Sequence, residues 1–317
     1  HWLCSNKGDS IMSITAFPNG ISSFGVPVLG AGGGIPSTTG TYYFVSSTTG
    51  SDSNSGLSDS TPVATLAQAI TLSTASVGDV IIVMPAHAET VSTTITPKAG
   101  TTIVGLGFGR LRPVFTASTG AIDTFTISAN NVTLQNFVIV GAASGVTALI
   151  EISGTYPSFI DMEIQGAAAP TTLVTVSGGG TGAFWKNCRF RAAAGTAVGI
   201  AIEATAIAAD WLMVNNYVHG SGVRDIDTAF IQMSKASLTG LLINGLYVIG
   251  IVGGQTVFDF NSSTGTIDGF VVNVHVAADA AATAANIMDE GGMVTSRCFF
   301  SDAVTAVGGR FPATTAS

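Results

Sequence analysis

The sequence predicts an all-β fold: a right-handed parallel β-helix solenoid with a short N-terminal capping helix and an extended N-terminal arm. The main observation behind it is a short signature that recurs from Asn136 onward. A polar or small residue is followed by two intervening residues and then a bulky apolar one. The copies read Asn136-Phe-Val-Ile139, Asp161-Met-Glu-Ile164, Asn187-Cys-Arg-Phe190, Asn215-Asn-Tyr-Val218, Gly245-Leu-Tyr-Val248, Gly269-Phe-Val-Val272 and Ser296-Arg-Cys-Phe299. Successive anchors are 25, 26, 28, 30, 24 and 27 residues apart, and a drifting period of this size means one supersecondary unit stacked on itself. Composition points the same way. Charged residues are only 9% of the chain, hydrophobic residues are 46%, and there are 39 glycines. The remaining surface is therefore Ser, Thr and Asn, which suits a hydroxyl-coated β structure better than helices dressed in Glu and Lys. The connections between apolar segments are also too short for crossover helices, which excludes a doubly wound α/β sheet. A sandwich needs tight hairpin turns, yet Asn244-Gly245 and Asp268-Gly269 both fall inside repeat copies.

Taken in order, residues 1–11 precede Met12 and lack the basic start and apolar stretch of a signal peptide. Asn6-Lys7-Gly8-Asp9 can be encoded by a stretch containing a bacterial ribosome-binding sequence, so this segment reads as upstream DNA translated in frame or as a flexible tail. Residues 12–41 are rich in Gly, Pro and Ser, and Pro18, Pro27 and Pro36 rule out continuous helix. Phe17, Ile21, Phe24, Val26, Val28 and Leu29 are spaced apolar anchors without periodicity. That pattern reads as an anchoring arm that orders against a partner, since solvated tails seldom carry so many large apolar residues.

Residues 42–317 form the predicted β-helix domain. Tyr42 to Ser46 opens it as a strand, and Gly50-Ser-Asp-Ser-Asn-Ser-Gly56 follows as a polar turn. Asp52, Asn54 and Asp59 there lack the spacing of a calcium loop, and Asx-turn chemistry accounts for them. Thr65 to Ser73 reads as a short helix with Leu66, Ala69 and Ile70 on one face, suited to the blunt end of a stack. The run from Asp79 to Pro85 is a continuous apolar strand. Strands then recur from Thr90 to Val276, among them 132–140, 159–164 and 183–190, with Gly, Asn, Ser or Pro punctuating most gaps. Stacked coils place the bulky residue of each copy over the last, which predicts an interior ladder of Ile139, Ile164, Phe190, Val218, Val248, Val272 and Phe299.

The net charge is −8 with no Lys/Arg cluster, which argues against nucleic acid as a partner. No apolar run reaches the length of a membrane span: the best, 192–214, is interrupted by Glu203 and Asp210. Three cysteines, Cys4, Cys188 and Cys298, form neither a disulfide framework nor a zinc pattern. No cofactor motif is present. Cys188 and Cys298 occupy related repeat positions and are expected in the interior.

Tyr42-Tyr-Phe-Val-Ser, then Gly50-Ser-Asp-Ser-Asn-Ser-Gly-Leu-Ser, then Pro62-Val-Ala-Thr-Leu-Ala-Gln-Ala-Ile70 together resemble the opening module of right-handed parallel β-helix proteins of the pectin-lyase-like class. The stretches 78–90 and 101–109 resemble the first coils of a tailed-phage virion subgroup, and 12–25 is similar to N-terminal arms of phage structural proteins. The resemblance implies a structural virion protein, a capsid decoration or head-fibre protein. It would be homotrimeric and made in the bacterial host cytoplasm. It would dock on the capsid or a neighbouring virion protein through its arm. The alternative it implies is a tail spike or receptor-binding protein that binds or degrades a surface glycan.

A lyase of this class would need a strong base with acidic calcium ligands, and a hydrolase would need paired carboxylates at defined separation. Asp161 and Glu163, one coil from Lys186, Arg189 and Arg191, come nearest, and they read as an exterior cross-coil salt-bridge ladder. Arg224, Asp225 and Asp227 read as a solvated loop, and no catalytic residue is assigned. His87 with Glu89 reads as a turn-stabilising pair. Asn131, Asn136, Asn187 and Asn215 read as side-chain amide bonds at turns between coils. Tyr156, Trp185, Trp211 and Tyr217 would offer sugar-stacking faces if exposed, although the two tryptophans sit in apolar strands that favour the core.

Overall fold

The computed structural model describes residues 21–23, 26–28, 36, 38–118, 122–141, 148–166, 172–192, 198–219, 226–233, 237–251, 256–260, 266–278, 288–289, 292–302 and 308–310. The chain divides into two compact units, residues 1–37 and 38–317. In the first, Ile21–Ser23 pairs antiparallel with Val26–Val28. Of the predicted arm anchors, Ile21, Val26 and Val28 lie on this hairpin. Phe17, Phe24 and Leu29 lie outside the described residues, as do residues 1–11 and Cys4.

The second unit is a parallel β-solenoid. Each coil contributes a strand to three stacked ladders, called here sheets 1, 2 and 3 in the order the chain visits them. Sheet 1 runs upward through Tyr42–Val45, Val80–Val83, Thr102–Gly105, Thr133–Gln135, Ser158–Ile160 and Phe184–Lys186. It continues through the leading halves of Leu212–His219, Leu238–Ile251 and Ile267–Ala278, and ends with Gly292–Ser296. Sheet 2 holds Ala88–Val91, Val114–Ala117, Val138–Gly141, Glu163–Gly166 and Arg189–Ala192, then the trailing halves of the same three long strands, then Phe299–Asp302. Sheet 3 holds Phe125–Ile127, Ile150–Ile152, Thr172–Val176, Val198–Ala204, Ile226–Met233, Phe258–Asp259 and Met288–Asp289.

From Asn136 upward, the turn from sheet 1 to sheet 2 is made by one residue in the left-handed region. Asn136, Asp161, Asn187, Asn215, Gly245, Asn273 and Arg297 all have φ between 52° and 78°. Only glycine enters this region freely, and Asn and Asp tolerate it best among the rest. The corner is what the repeated Asn marks. It splits the predicted single strands 132–140, 159–164 and 183–190 into one strand on each side.

The corner also sets the side-chain alternation. Leu134 and Phe137 both point inward, with Gln135 and Asn136 outside between them, and Ile139 points inward again. The bore therefore has one ladder per sheet. Sheet 1 supplies Ile81, Ile103, Leu134, Phe159, Trp185, Met213, Ile243 and Val271. Sheet 3 supplies Phe125, Ile150, Val174, Ile202, Ile231, Phe258 and Met288. Sheet 2 stacks Phe115, Ile139, Ile164, Phe190, Val218, Val248, Val276 and Phe300.

The first five residues of the predicted ladder, Ile139 to Val248, thus lie buried and in register. The last two do not. Val272 is half-buried on sheet 1, and Phe299 is exposed. The corners sit at Asn273 and Arg297, not at Gly269 and Ser296, so Val276 and Phe300 take the ladder positions. Gly269 pairs with Leu241 inside sheet 1, on the same strand as the turn and ahead of it.

Aromatic rings form part of the filling. Phe115 meets Phe125 and Phe137 edge to face, Phe125 and Phe137 stack on each other, Phe159 stacks on Trp185 at 3.9 Å, and Phe190, Phe230 and Phe258 continue the contact upward. Trp185 and Trp211 are fully buried. A buried aromatic of this kind contributes about 2–3 kcal/mol over an exposed one.

The helix Leu66–Leu72 packs Leu66, Ala69 and Ile70 against the first strands. Its N-cap Thr65 accepts from Gln68 N–H at 3.2 Å, and Glu89 accepts from Leu66 N–H at 2.9 Å. The solenoid unit begins at Thr38, four residues before the boundary read from sequence. Thr38 Oγ1 donates to Gly78 O, and Thr41 N–H donates to Asp79. At the other end, Gly308–Arg310 pairs antiparallel with Phe299–Asp302 and covers the outer edge of sheet 2. Among the described residues, no helix is long and apolar enough to cross a membrane.

Asn215→Val forces a β-branched residue into φ 52° and is expected to cost about 1–2 kcal/mol. Asn215→Gly is expected to stay close to the parent. The midpoint of urea unfolding, compared across the three proteins, checks this.

Candidate functional site

Three groups of side chains carry the chemistry on the described surface. The first lies near the helix. His87 is buried, accepts Ser47 N–H on Nδ1 at 2.9 Å, and meets Glu89 through Nε2 at 3.0 Å. A backbone donor on Nδ1 assigns the ring proton to Nε2, so the ring donates to Glu89. Glu89 also holds the helix N-terminus, so both members of the pair are spent on local structure. Asp52 behaves alike, accepting from Ala64 N–H, Thr65 N–H and Thr65 Oγ1, while Asn54 donates to Pro62 O. Among the described residues, no group of three or more His, Cys, Asp or Glu is arranged to hold a metal.

The second group lies on the outer face of sheet 3. Asp123 and Glu151 are hydrogen-bonded carboxyls, and Ser177 Oγ donates to Glu151 at 2.6 Å. Partial burial, then the hydrogen bond and negative charge of Glu151, raise the Asp123 carboxyl from its ordinary 3.8 to about 6. Two carboxyls in hydrogen-bond contact leave no room for a sugar or a water between them. A glycosidase needs its pair about 5–10 Å apart. The same outer column continues through Thr175, Glu203, Gln232 and Asp259, and Gln232 donates to Asp259 at 2.7 Å.

The third group runs up the outer face of sheet 2. Glu163, whose side chain is only 11% exposed, receives Arg191 at 2.7 Å and Arg112 at 3.4 Å. Arg112 also donates to Asp161 O and Phe137 O. Burial pushes its guanidinium down from the ordinary value, against the opposing pull of Glu163. The expected ladder of Asp161 and Glu163 against Arg189 and Arg191 is therefore built differently. Asp161 is a corner residue whose carboxylate accepts from Asn187 at 3.0 Å, Arg189 is exposed, and Arg112, from the turn before Val114–Ala117 two coils below, supplies the second cation.

Above Arg189 the outer column turns aromatic: Tyr217, Tyr247, His275 and Phe299 stand on successive coils. Tyr247 and His275 stack at 5.5 Å and 10°, and His275 and Phe299 at 5.7 Å and 30°. Beside the column runs a groove of about 430 Å³ lined by Tyr217, Tyr247, Ile249, His275, Ala277 and Phe299. Tyr247, His275 and Phe299 stack face to face along the column and Tyr217 stacks on His219 at 6.2 Å, so the ring faces are largely taken up. An apolar surface is favoured by this arrangement over a sugar-stacking platform.

Of the aromatics singled out in sequence, Tyr156 is exposed on a different turn, Tyr217 belongs to this column, and both tryptophans are in the core. Of the four asparagines read as turn amides, Asn136 donates to Gly105 O and Gly107 O, and Asn187 to Asp161, while Asn131 and Asn215 are marked by their left-handed backbone. Cys188 and Cys298 are buried below corners, and burial drives the Cys188 thiol up to about 12, so it stays a neutral core group. Arg224 and Asp225 lie outside the described residues, and Asp227 falls on the strand Ile226–Met233. The column Tyr247, His275 and Phe299 was missed. Its signal is the third position of each copy, which reads Glu163, Arg189, Tyr217, Tyr247 and His275 once the corner is placed at Asn273.

These features define the class: a parallel β-solenoid of three-sheet coils with Asn-type corners. No protein-family model, no curated protein and no solved structure matches the chain.

A folded carboxyl that holds its proton to about pH 6, against 3.8 ordinarily, makes the folded state bind more protons between those values, so stability falls as pH rises through that window. Asp123→Asn is expected to remove that fall. Its melting temperature should gain on the parent at pH 7.5 relative to pH 4. Parallel pH profiles of thermal melting check it.

Proposed function

We propose that this chain is a structural virion protein of a tailed bacteriophage, a capsid decoration or head-fibre protein that docks by residues 12–37. The observation that carries the reading is the use made of ionisable side chains. Glu163 is tied into two ion pairs, Glu89 into a helix cap and a histidine, Asp52 and Asp79 into backbone amides. A charge-poor chain whose acids hold its own turns supports a durable scaffold better than a catalyst. The resemblance of residues 12–25, 78–90 and 101–109 to phage structural proteins supports the virion placement. The proposed assembly is a homotrimer on the capsid surface, and no nucleic acid or membrane partner is invoked.

Quantitative mass spectrometry of purified particles tests it. A decoration protein is expected at tens to hundreds of copies per virion, and particles lacking the chain, or holding only a few copies, would overturn the reading. Deleting residues 12–37 should leave a folded solenoid that no longer joins particles.

A further inference from the structure

The outer surface of the solenoid changes along its axis. On sheet 1, the outward column in the lower coils reads Thr133 and Ser158. From the next coil upward it reads Phe184, Leu212, Leu242, Phe270 and Val294. Exposure along it rises to 54% at Phe270 and 56% at Val294. Around the corner on sheet 2 runs the second, aromatic column, from Tyr217 through Tyr247, 50% exposed, and His275 to Phe299, with Ile249 beside it. Seven of the thirteen large apolar side chains exposed among the described residues lie on these two columns or beside them. Scattered surface apolars are normal, but contiguous columns of this kind mark an interaction surface.

We infer that this two-column face, over residues 212–301, is an interface with further copies of the same chain. Two observations choose that occupant. The first is charge. The five upper strands of sheets 1 and 2 carry only Asp268 and Asp302, with Arg297 at a corner, while the chain has net charge −8. Acids instead stand on the outer column of sheet 3, at Glu151, Glu203 and Asp259. Copies of an acidic chain repel one another, and they approach most easily through the uncharged face, with sheet 3 turned to water. The second is pitch. Each column repeats once per coil, at about 4.8 Å, over four or five coils. A second solenoid of the same sequence presents matching columns at that same repeat. The corner strip of Asn215, Asn244, Asn273 and Ser296 between the columns supplies polar groups to fix register. The inference names the surface of the assembly proposed above, yet stands on the solenoid alone.

Size-exclusion chromatography with light scattering on the full chain, from about 0.1 to 100 μM, tests it. The parent is expected to self-associate. Phe270→Asp/Val294→Asp and, separately, Tyr247→Asp should shift it to monomer with an unchanged β-type circular dichroism spectrum. Phe108→Asp, at a residue 91% exposed on a lower loop, should leave the oligomer intact. A parent monomeric throughout the range, or an oligomer that survives both sets of substitutions, would overturn the inference. An oligomer broken by them supports the face whatever its order, and an order other than three counts against the trimer alone.

Discussion

From Asn136 upward the solenoid depends on a single backbone event repeated in each coil: one residue in the left-handed region between sheet 1 and sheet 2. Without it the strand would run straight on and the alternation of side chains would continue unbroken. With it, two neighbouring outward residues separate two inward ones, and the chain bends around a bore while both strands keep feeding it. The hydrogen bonding follows. Asn136 N–H donates forward to Ile160 O and Asp161 N–H to Lys186 O, whereas Glu163 N–H and Arg189 N–H donate back to Phe137 O and Met162 O. Each corner is thus tied to the coil above and the coil below, so its conformational cost of roughly 1–3 kcal/mol for a non-glycine residue is offset by bonds that only that conformation allows.

The same constraint explains the amide side chain that, among the described residues, sits in the bore next to a corner. The inward position after the corner is Phe137, Met162 and Cys188 in successive coils, then Asn216, then Leu246 and Val274. Asn216 is buried, accepts Cys188 N–H at 2.9 Å and donates to Trp185 O at 3.1 Å. Both partners belong to the corner of the coil below. A buried amide costs little when its acceptor and a donor are satisfied in this way, and would cost about 1–3 kcal/mol if they were not. The longest coil spacing, the 30 residues from Asn215 to Gly245, follows at once.

How legible this was in sequence depended on the frame. The Asn-x-x-apolar repeat identified stacking, and its first five copies fell on real corners because Asn, Asp and Gly are the residues that tolerate the turn. The last two copies slipped because Gly269 and Ser296 satisfy a "polar or small" rule without standing at the corner, while Arg297 makes the corner and satisfies no such rule. The slip moved Val272 and Phe299 into the predicted bore and hid the outward aromatic column. Val114–Ala117 was missed because the Pro113 before it and the Arg110-Leu-Arg stretch look like loop, although the strand completes sheet 2. Arg112 as the second partner of Glu163 could not be read at all, since the two are 51 residues apart and meet only through stacking.

What the frame finally exposes is a difference between the outer faces of the solenoid. Inside, every sheet presents the same kind of residue, because the bore is closed and must be filled. Outside, nothing in the fold dictates composition, and there the faces diverge: acids and amides on sheet 3, aliphatic and aromatic columns on sheets 1 and 2. A repeat that needed only solubility would gain nothing by replacing Thr133 and Ser158 with Leu242 and Phe270 at equivalent positions. Exposed apolar columns carry a standing cost through non-specific association, and here they occupy strands almost free of charge in a chain that is acidic elsewhere. That pairing of apolar surface with absent charge is what a desolvated contact requires. It separates these columns from the isolated exposed side chains such as Leu57 and Phe108, which sit on lower turns with no stacked partners.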